Sequence, residues 1–402
     1  MFDVLPDRRF REKFLEETTA YKPDDDKTRA LKDYILSDDF SADVERLRRG
    51  DYFPAPPCLK EVTKDPTGAK RKLYVFRGKD HFLLSFMHYA LVHLYDPVFS
   101  DGLYSFRVHK NRRAMIGRIH EEMKDSADRP YFVFRTDIRS FGLSRDQDIL
   151  IRKLSGIMGH DPELLDFLTR LLRRNQYQLN GQIVDGYLSA IPGCPLADFF
   201  SNVYLMDVDA YFQENSDLYC RFSDDILVLS RDPRKLNAQL IKLRDMAREN
   251  KLELSSVKTE LFAPNEPVDI LGFRFEGPHI DLSRDYMETG CRLLRINAKK
   301  AEREARQSGL SREEAARRFI ANSLWPFMKS EAGEDRFYAR QFFPVITRDN
   351  SLREIDHQVQ HCARYILTGK WGKAQYRATY KKLKSLGYVS IVHLYHNGYK
   401  DL

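Results

Sequence analysis

Two adjacent carboxylates, Asp224 and Asp225, sit between the apolar runs Leu218-Tyr-Cys-Arg-Phe222 and Ile226-Leu-Val-Leu-Ser230, and few folds tolerate that arrangement. The runs read as short strands joined through Ser223-Asp224-Asp225, a hairpin with an acidic tip. One carboxylate is costly to bury without a partner, and two side by side repel. A chain that places them there needs a cation between them. Asp-Asp pairs also occur at Asp24 to Asp26 and at Asp38-Asp39, in polar surroundings where the dipeptide demands nothing.

A third acid belongs with the pair. Tyr131-Phe-Val-Phe-Arg-Thr-Asp137-Ile138 is aromatic and β-branched, and reads as a strand that delivers Asp137 at its end. If that strand lies beside the hairpin in one sheet, three carboxylates converge in the oxygen-rich environment that hard divalent ions such as Mg²⁺ prefer. That geometry suits two-metal phosphoryl transfer with the ions about 3.5–4 Å apart, one lowering the pKa of a 3′-hydroxyl and the other holding the triphosphate. The acids alone leave a structural or calcium site open as the alternative, although no EF-hand loop pattern supports it.

At 402 residues the chain exceeds the roughly 100–200 of one typical domain, and 42% hydrophobic residues exclude disorder over most of it. No apolar run approaches the ~18 residues of a membrane helix. The start, MFDVLPDRRFREKF, lacks the basic-then-apolar order of a secretory signal, so the expectation is a cytoplasmic protein with no membrane partner. The five cysteines are odd in number and contain no C-x-x-C pair, which predicts reduced, buried, structural thiols. The net charge of +7 is unevenly distributed. Residues 291–402 hold 22 Lys+Arg against 11 Asp+Glu, and the first 290 hold 44 against 48. The basic segment contains both tryptophans and several interleaved tyrosines, a composition that fits either a surface tracking a phosphate backbone or a solvated helical face.

The first 60 residues are polar and end in the proline cluster Asp51-Tyr-Phe-Pro-Ala-Pro-Pro-Cys58, which predicts a boundary there. HFLLSFMHYALVHLY within 70–99 predicts a buried helix, and 146–175 predicts further helices. A Pro/Gly turn at Leu188 to Leu196 precedes a helix expected over 197–212. After the acidic hairpin come a basic helix over about 233–251, a strand-like run over 252–259 and a hairpin over 268–275. Helices dominate beyond about Asp281, with no internal repeat.

In chain order, from about Lys70 to Phe275, the sequence resembles the seven-block pattern of reverse transcriptases, specifically the bacterial group related to group II intron and retron enzymes. Phe134-Arg-Thr-Asp137-Ile138-Arg139-Ser140-Phe141 resembles the first catalytic block, with Asp137 and the Ile138 carbonyl as metal ligands. Pro192-Gly193-Cys194-Pro195-Leu196-Ala197 with Ser201-Asn202-Val203-Tyr204-Leu205 is similar to the block that supports template and incoming base. Phe222-Ser223-Asp224-Asp225 resembles the aromatic-x-Asp-Asp hairpin. Val257-Lys258-Thr259 is similar to the block whose lysine approaches the triphosphate as a general acid. Leu271-Gly272-Phe273 is similar to the hairpin that grips the primer end. Ala69-Lys70-Arg71-Lys72-Leu73 and Tyr104-Ser105-Phe106-Arg107 resemble the fingers blocks, whose cations reach nucleotide phosphates. Each match is weak alone; their order gives them weight. The residues also carry plainer readings: Gly193 as a turn glycine, Cys194 as a buried small side chain, Arg107 as an ion pair, and His357 with His361 as packing or nucleic-acid contacts.

The resemblance implies an α+β right-hand polymerase. Residues 1–60 would be an N-terminal extension, 61–130 and 143–187 fingers, 131–142 and 188–285 a palm of antiparallel sheet and helices, and 286–402 a basic helical thumb. It implies RNA-directed DNA synthesis with two Mg²⁺ ions, Mn²⁺ being a possible substitute. Asp137, Asp224, Asp225 and Lys258 would be catalytic. Arg71, Lys72, Arg107, Arg139, Phe141 and Gly193 would meet the nucleotide, and Pro192, Cys194, Phe222, Leu271, Gly272 and Phe273 the template or primer.

Three departures stand out. Gly142 follows Phe141 where the family often has a second aromatic that excludes a ribose 2′-hydroxyl; Pro192 replaces a common glutamine; and Phe222 replaces a common tyrosine. Retron signatures are not found, and the stretch from Trp371-Gly-Lys373 to Leu386-Gly-Tyr-Val-Ser-Ile391 is similar to the defence-associated, abortive-infection reverse transcriptases. That likeness implies a structured non-coding RNA template, a DNA product and dNTPs as partners. The rivals are a template-independent or protein-primed polymerase, with Tyr395 and Tyr399 as candidate hydroxyls, and a catalytically silent RNA-binding protein.

Overall fold

The computed structural model describes residues 1–20, 25–63, 70–124, 130–327 and 337–397, and the chain divides into two units. Met1–Met115 with Phe132–Leu261 form the first, and Ile116–Tyr131 with Phe262–Leu402 the second. Helices mix with mostly antiparallel sheets, an α+β arrangement.

The first unit is organised around the helix Gly78–Tyr95. Its apolar residues run all round the helix rather than along one stripe, which is the pattern of a helix buried on every side. Leu83, Leu84, Phe86, Met87, Ala90 and Leu91 are fully buried. The described residues among the first 60 pack into the same core. Helices Arg8–Thr19, Asp26–Leu36 and Asp38–Arg49 bury Phe14, Ile35 and Phe40 there. The Phe14 and Phe40 rings lie 5.0 and 5.5 Å from that of Phe86. The acids beside them serve helix ends: Asp25 accepts from the Thr28 amide, and Asp38 and Asp39 occupy a first turn, where the helix dipole favours negative charge.

Two four-stranded sheets complete this unit. In one, Lys70–Val75 pairs antiparallel with Cys58–Thr63, which meets Gln176–Leu179 in parallel, followed by Gln182–Asp185. In the other, the order is Leu218–Phe222, Asp225–Ser230, Phe132–Thr136, Glu260–Phe262. The register Phe132↔Ser230 through Thr136↔Ile226 sets the strand before Asp137 against the strand that begins at Asp225.

Two expected elements differ. The run 197–212 forms two helices, Ala197–Tyr204 and Met206–Asn215, because the Tyr204 carbonyl accepts from Lys153 Nζ at 2.5 Å instead of continuing the helix. The run 252–259 contributes one antiparallel bridge, Ile138↔Leu254. It then folds into a turn in which Thr259 Oγ1 donates to the Ser255 carbonyl at 2.6 Å, and pairing resumes only at Glu260.

The second unit contains the three-stranded sheet His279–Leu282, Phe273–Glu276, Val268–Ile270, and helices including Arg284–Ser308, Arg312–Leu324 and Asn350–Thr368. All five cysteines are free and buried, and no described helix is long and apolar enough to cross a membrane.

Candidate active site

The site is built on the second sheet of the first unit. Val133, Phe134 and Thr136 are buried, so the strand Phe132–Thr136 is anchored on both faces, and Asp137 follows it with 6% exposure. The next residues are fixed by backbone bonds to the returning chain, Ser255 N–H to the Asp137 carbonyl at 2.8 Å and Arg139 N–H to the Glu253 carbonyl at 2.8 Å. Those bonds flank Ile138 and leave its carbonyl out of the pairing. Across the register, Phe222↔Asp225 closes a two-residue turn of Ser223 and Asp224. Ser223 takes φ 59°, the left-handed conformation that tight hairpin turns require at that position.

The acids act on one another. Burial and the Asp224 charge push the Asp225 carboxyl up to about 6, and Asp137 adds to the rise while Lys258 and Arg135 oppose it. Lys258 Nζ donates to Asp137 Oδ2. Burial lowers the Lys258 pKa, but that bond and the charges of Asp137, Asp225 and Asp224 outweigh it, and the ammonium is raised above its ordinary value. Among the described residues no group of three or more His, Cys, Asp or Glu side chains is already arranged around a metal position. The donor chemistry still fits a hard divalent cation: three carboxylates, all offering oxygen, with the charge of Asp225 disfavoured by burial and by the other two.

Behind the turn lies an ion pair that the sequence reading missed. Arg221, fully buried, donates from Nε to Asp209 Oδ1 at 2.6 Å and from Nη2 to Asp209 Oδ2 at 2.5 Å. Tyr219 OH donates to Asp209 Oδ1 at 2.7 Å. The remaining guanidinium nitrogen, Nη1, donates to the Ser223 carbonyl at 2.9 Å, so the pair holds the turn that bears Asp224 and Asp225. From the other side, Ser223 N–H donates to Ser105 Oγ at 2.9 Å, and the buried Ser105 hydroxyl in turn donates to Asn202 Oδ1 at 3.3 Å. The signal was present: Asp209, beside the inward-facing Val208 and Phe212 of the Met206–Asn215 helix, and Arg221, in an apolar strand, are opposite charges that neither element can bury alone.

A second frame surrounds Pro192-Gly193. Tyr74 N–H donates to the Pro192 carbonyl at 2.7 Å, joining this turn to the strand that carries Arg71 and Lys72, both exposed. Gly193 has φ +95°, and a Cβ there would lie 2.9 Å from Leu73 Cβ, so glycine is required twice over. The Cys194 thiol is buried and pushed up to about 12, an inert group. Phe141 is buried, its ring 6.2 Å from Tyr204 and 5.2 Å from the Arg145 guanidinium, so it is committed to packing. Gly142 stands beside Pro192, whose Cβ would lie 3.8 Å from an added Cβ.

The other residues singled out from sequence are placed as follows. Arg107 is 6% exposed at its side chain and grips Asp96 through two bonds of 2.8 Å, with further bonds to the Ser100 and Asp96 carbonyls. Every guanidinium nitrogen is engaged in the fold, which is the ion-pair reading and not a group presented to phosphate. Arg139 is exposed and paired with Glu253 at 3.2 Å. The Phe222 ring lies 6.3 Å from Phe106. Leu271 and Gly272 belong to the second unit, where both take positive φ in a two-residue turn, and Phe273 is fully buried with its ring 5.8 Å from Phe342. Tyr395 OH donates to the Ile346 carbonyl at 2.8 Å. Ala69 and Tyr399 lie outside the described residues.

Residues 99–275, a little under half of the chain, match the family model described as reverse transcriptase (RNA-dependent DNA polymerase). The matched segment contains Asp137, Asp224 and Asp225. Curated proteins yield no match. Similar solved structures include apo telomerase from Candida tropicalis, at 10% identity and TM-score 0.48, covering 83% of this chain and 60% of that one. The same telomerase truncated from its C-terminal domain gives 11% identity and TM-score 0.45, with 57% and 56% covered. Telomerase from Candida albicans in complex with a TWJ fragment of telomeric RNA gives 11% identity and TM-score 0.42, with 89% and 71% covered. The chain thus spans less than two thirds of the Candida tropicalis chains named here.

The Asp225 environment makes a stability prediction. Its folded pKa near 6 lies above the ordinary carboxyl value of about 4, so wild type carries a penalty that grows as pH rises from about 4 through 6 and is complete above that. In metal-free buffer, Asp225→Asn should therefore be more stable than wild type by about 1–3 kcal/mol at pH 7.5 and indistinguishable from it near pH 4. Urea unfolding at both pH values reads the difference; equal stabilities at pH 7.5 would contradict a carboxylate penalised there by burial and by its neighbours' charge.

Proposed function

We propose that this protein is an RNA-directed DNA polymerase that extends a 3′-hydroxyl with dNTPs, using Asp137, Asp224 and Asp225. The observation that carries this reading is the electrostatic conflict at Asp225, whose carboxyl is raised by burial and by both other acids while the buried Arg221–Asp209 pair holds the turn that bears Asp224 and Asp225. The three carboxylates and the Ile138 carbonyl would hold Mg²⁺, as two ions with Mn²⁺ as a substitute. Bound there, such ions supply the charge that activates a hydroxyl and neutralises a triphosphate.

The remaining work falls to this chain's own groups. Lys258, held on Asp137 with a raised pKa, is first a counter-charge; it acts as proton donor to pyrophosphate only once released from that carboxylate. Arg71 and Lys72 are exposed cations on the strand bonded to the Pro192 turn, suited to phosphate or template. Arg139 joins them by giving up a surface ion pair worth about 0–1 kcal/mol. Gly193 and Pro192 shape the floor beside Gly142. Leu271 and Gly272 would meet the primer through their backbone turn.

With Phe141 packed away and glycine next in the chain, no side chain at position 142 excludes a ribose 2′-hydroxyl. Discrimination between dNTPs and rNTPs should accordingly be weak, and Gly142→Phe should raise the dNTP preference by about tenfold or more, a difference of about 1.4 kcal/mol, in single-nucleotide incorporation. Strong discrimination by wild type contradicts this.

The similarity of the 371–391 stretch to defence-associated enzymes supports a dedicated structured RNA as template and a role in bacterial antiphage defence. Sequencing of nucleic acid that copurifies from the native cell, for wild type and an Asp224→Asn, Asp225→Asn variant, tests this. Wild type is expected to carry one discrete RNA with complementary DNA, and the variant the RNA alone. The same RNA on both, with no DNA on either, supports instead the silent RNA-binding protein. DNA unrelated to any RNA supports untemplated synthesis.

A further inference from the structure

The second unit presents a row of rings that the polymerase reading does not use. His357, His361 and Tyr365 recur at i, i+4 and i+8 on the helix Asn350–Thr368 and therefore share one face. The His357 and His361 ring centroids are 4.0 Å apart. The chain then turns back on this face. Gly369 caps the helix with φ +70°, and its amide donates to the Tyr365 carbonyl at 2.7 Å. Gly372 takes φ 83° and ψ −155°, a conformation essentially confined to glycine. Between these two glycines Trp371 is laid flat on Tyr365, with centroids 4.1 Å apart and planes within 7°. One turn further back, Tyr376 OH and His361 Nε2 are 3.2 Å apart.

This row is built and not incidental. Arg364, 7% exposed, donates to the Ala378 carbonyl at 3.1 Å and to Gln360 at 3.3 Å, and its guanidinium lies 5.6 Å from the centre of the Tyr376 ring, pinning the returning loop to the helix. The rings are nevertheless open to solvent: Trp371 is 42% and Tyr376 55% exposed, and His357 is exposed as well. Stacking that only filled a core would be covered.

Charge indicates the occupant. No Asp or Glu occurs between Asp356 and Asp401, an interval with eight Lys and Arg. Asp356 itself is buried, accepting from Tyr388 OH at 2.9 Å, Ser390 Oγ at 2.5 Å and the Ile391 and Val392 amides. Lys382 is paired with Glu313, but Lys370, Lys373 and Arg377 flank the rings and are exposed. Flat, accessible rings between cations, with the last acid turned inward, match bases to stack and phosphates to neutralise.

We propose that the His357–His361–Tyr365 face, with Trp371 and Tyr376 seated on it, is a binding site for single-stranded RNA. The choice of RNA over DNA rests on the RNA-templated reading above, in which the unpaired template is the available strand. The site holds bases by stacking and the backbone by Lys370 and Lys373, without sequence preference.

The test uses the full chain and fluorescence anisotropy of a labelled oligo(U) of about 12 nucleotides, within the usual site size of such surfaces. Trp371→Ala should weaken binding about tenfold, and Trp371→Phe should restore it to within about twofold. Lys370→Ala with Lys373→Ala should reduce the slope of log affinity against log salt by about 1.4, the loss of two single-strand phosphate contacts. Trp371 is exposed, so unchanged thermal unfolding of the variants is expected and checks that the fold is intact. The same contrasts measured in an Asp224→Asn, Asp225→Asn background separate this site from catalysis: they persist there even if no nucleotide is ever incorporated. Wild-type affinity in Trp371→Ala, or failure of Trp371→Phe to restore it, would overturn the proposal.

Discussion

Everything proposed for this site depends on one buried ion pair. Arg221 and Asp209 are both removed from water, meet through two short bonds, and spend the remaining guanidinium nitrogen on the Ser223 carbonyl. Burial on its own would lower the arginine's pKa, but the adjoining Asp209 carboxylate more than compensates. Removing one partner of such a pair strands a charge in the interior at a cost of about 3–5 kcal/mol, whereas the intact pair contributes mainly by specifying geometry. Here the geometry specified is that of a turn which must hold Asp224 and Asp225 near Asp137 against their mutual repulsion.

The surrounding fold brings distant pieces of chain to that turn. Gly102 lies so close to Tyr219 that a Cβ would stand 2.5 Å from the ring, and this proximity lets the Gly102 and Arg221 backbones bond at 2.8 Å. Ser105, three residues on, reaches Ser223 and Asn202. On the other side, the Pro192-Gly193 turn is bonded to Tyr74. Three contacts, each joining residues about a hundred positions apart, thus fix the surroundings of the turn, two between backbones where glycine leaves room and one through the Ser105 hydroxyl. The acids gain a rigid platform, and the strain of keeping like charges together is spread over a framework that does not include them.

Much of this was legible in the sequence. The nearly continuous apolar runs on either side of Asp224-Asp225 and before Asp137 gave strands where strands occur, since both faces of that sheet are covered. The long, mostly apolar 81–95 stretch gave its helix for the same reason. Residues 1–60 were not legible as core because their apolar residues are sparse and fall singly or in pairs among charges. Phe40, Val44 and Leu47 make one helical stripe, yet each is flanked by acids or arginines. Arg107 and Phe141 were placed by motif at a substrate surface, but residues far off in sequence or side-chain volume decide their orientation: Asp96 claims the arginine, and Tyr204 with Arg145 encloses the ring. The helix break at Leu205 depends on Lys153, some fifty residues away, which no local pattern reports.

The most direct measurement is single-nucleotide extension of a labelled primer on RNA templates that differ only in the first unpaired base, with wild type and Asp225→Asn compared in Mg²⁺. Wild type should add only the nucleotide complementary to the template base, and the variant should lose at least about a thousandfold in rate, equivalent to about 4 kcal/mol of transition-state stabilisation. Addition that ignores the template base, or a variant as fast as wild type, would contradict a templated polymerase built on these three carboxylates.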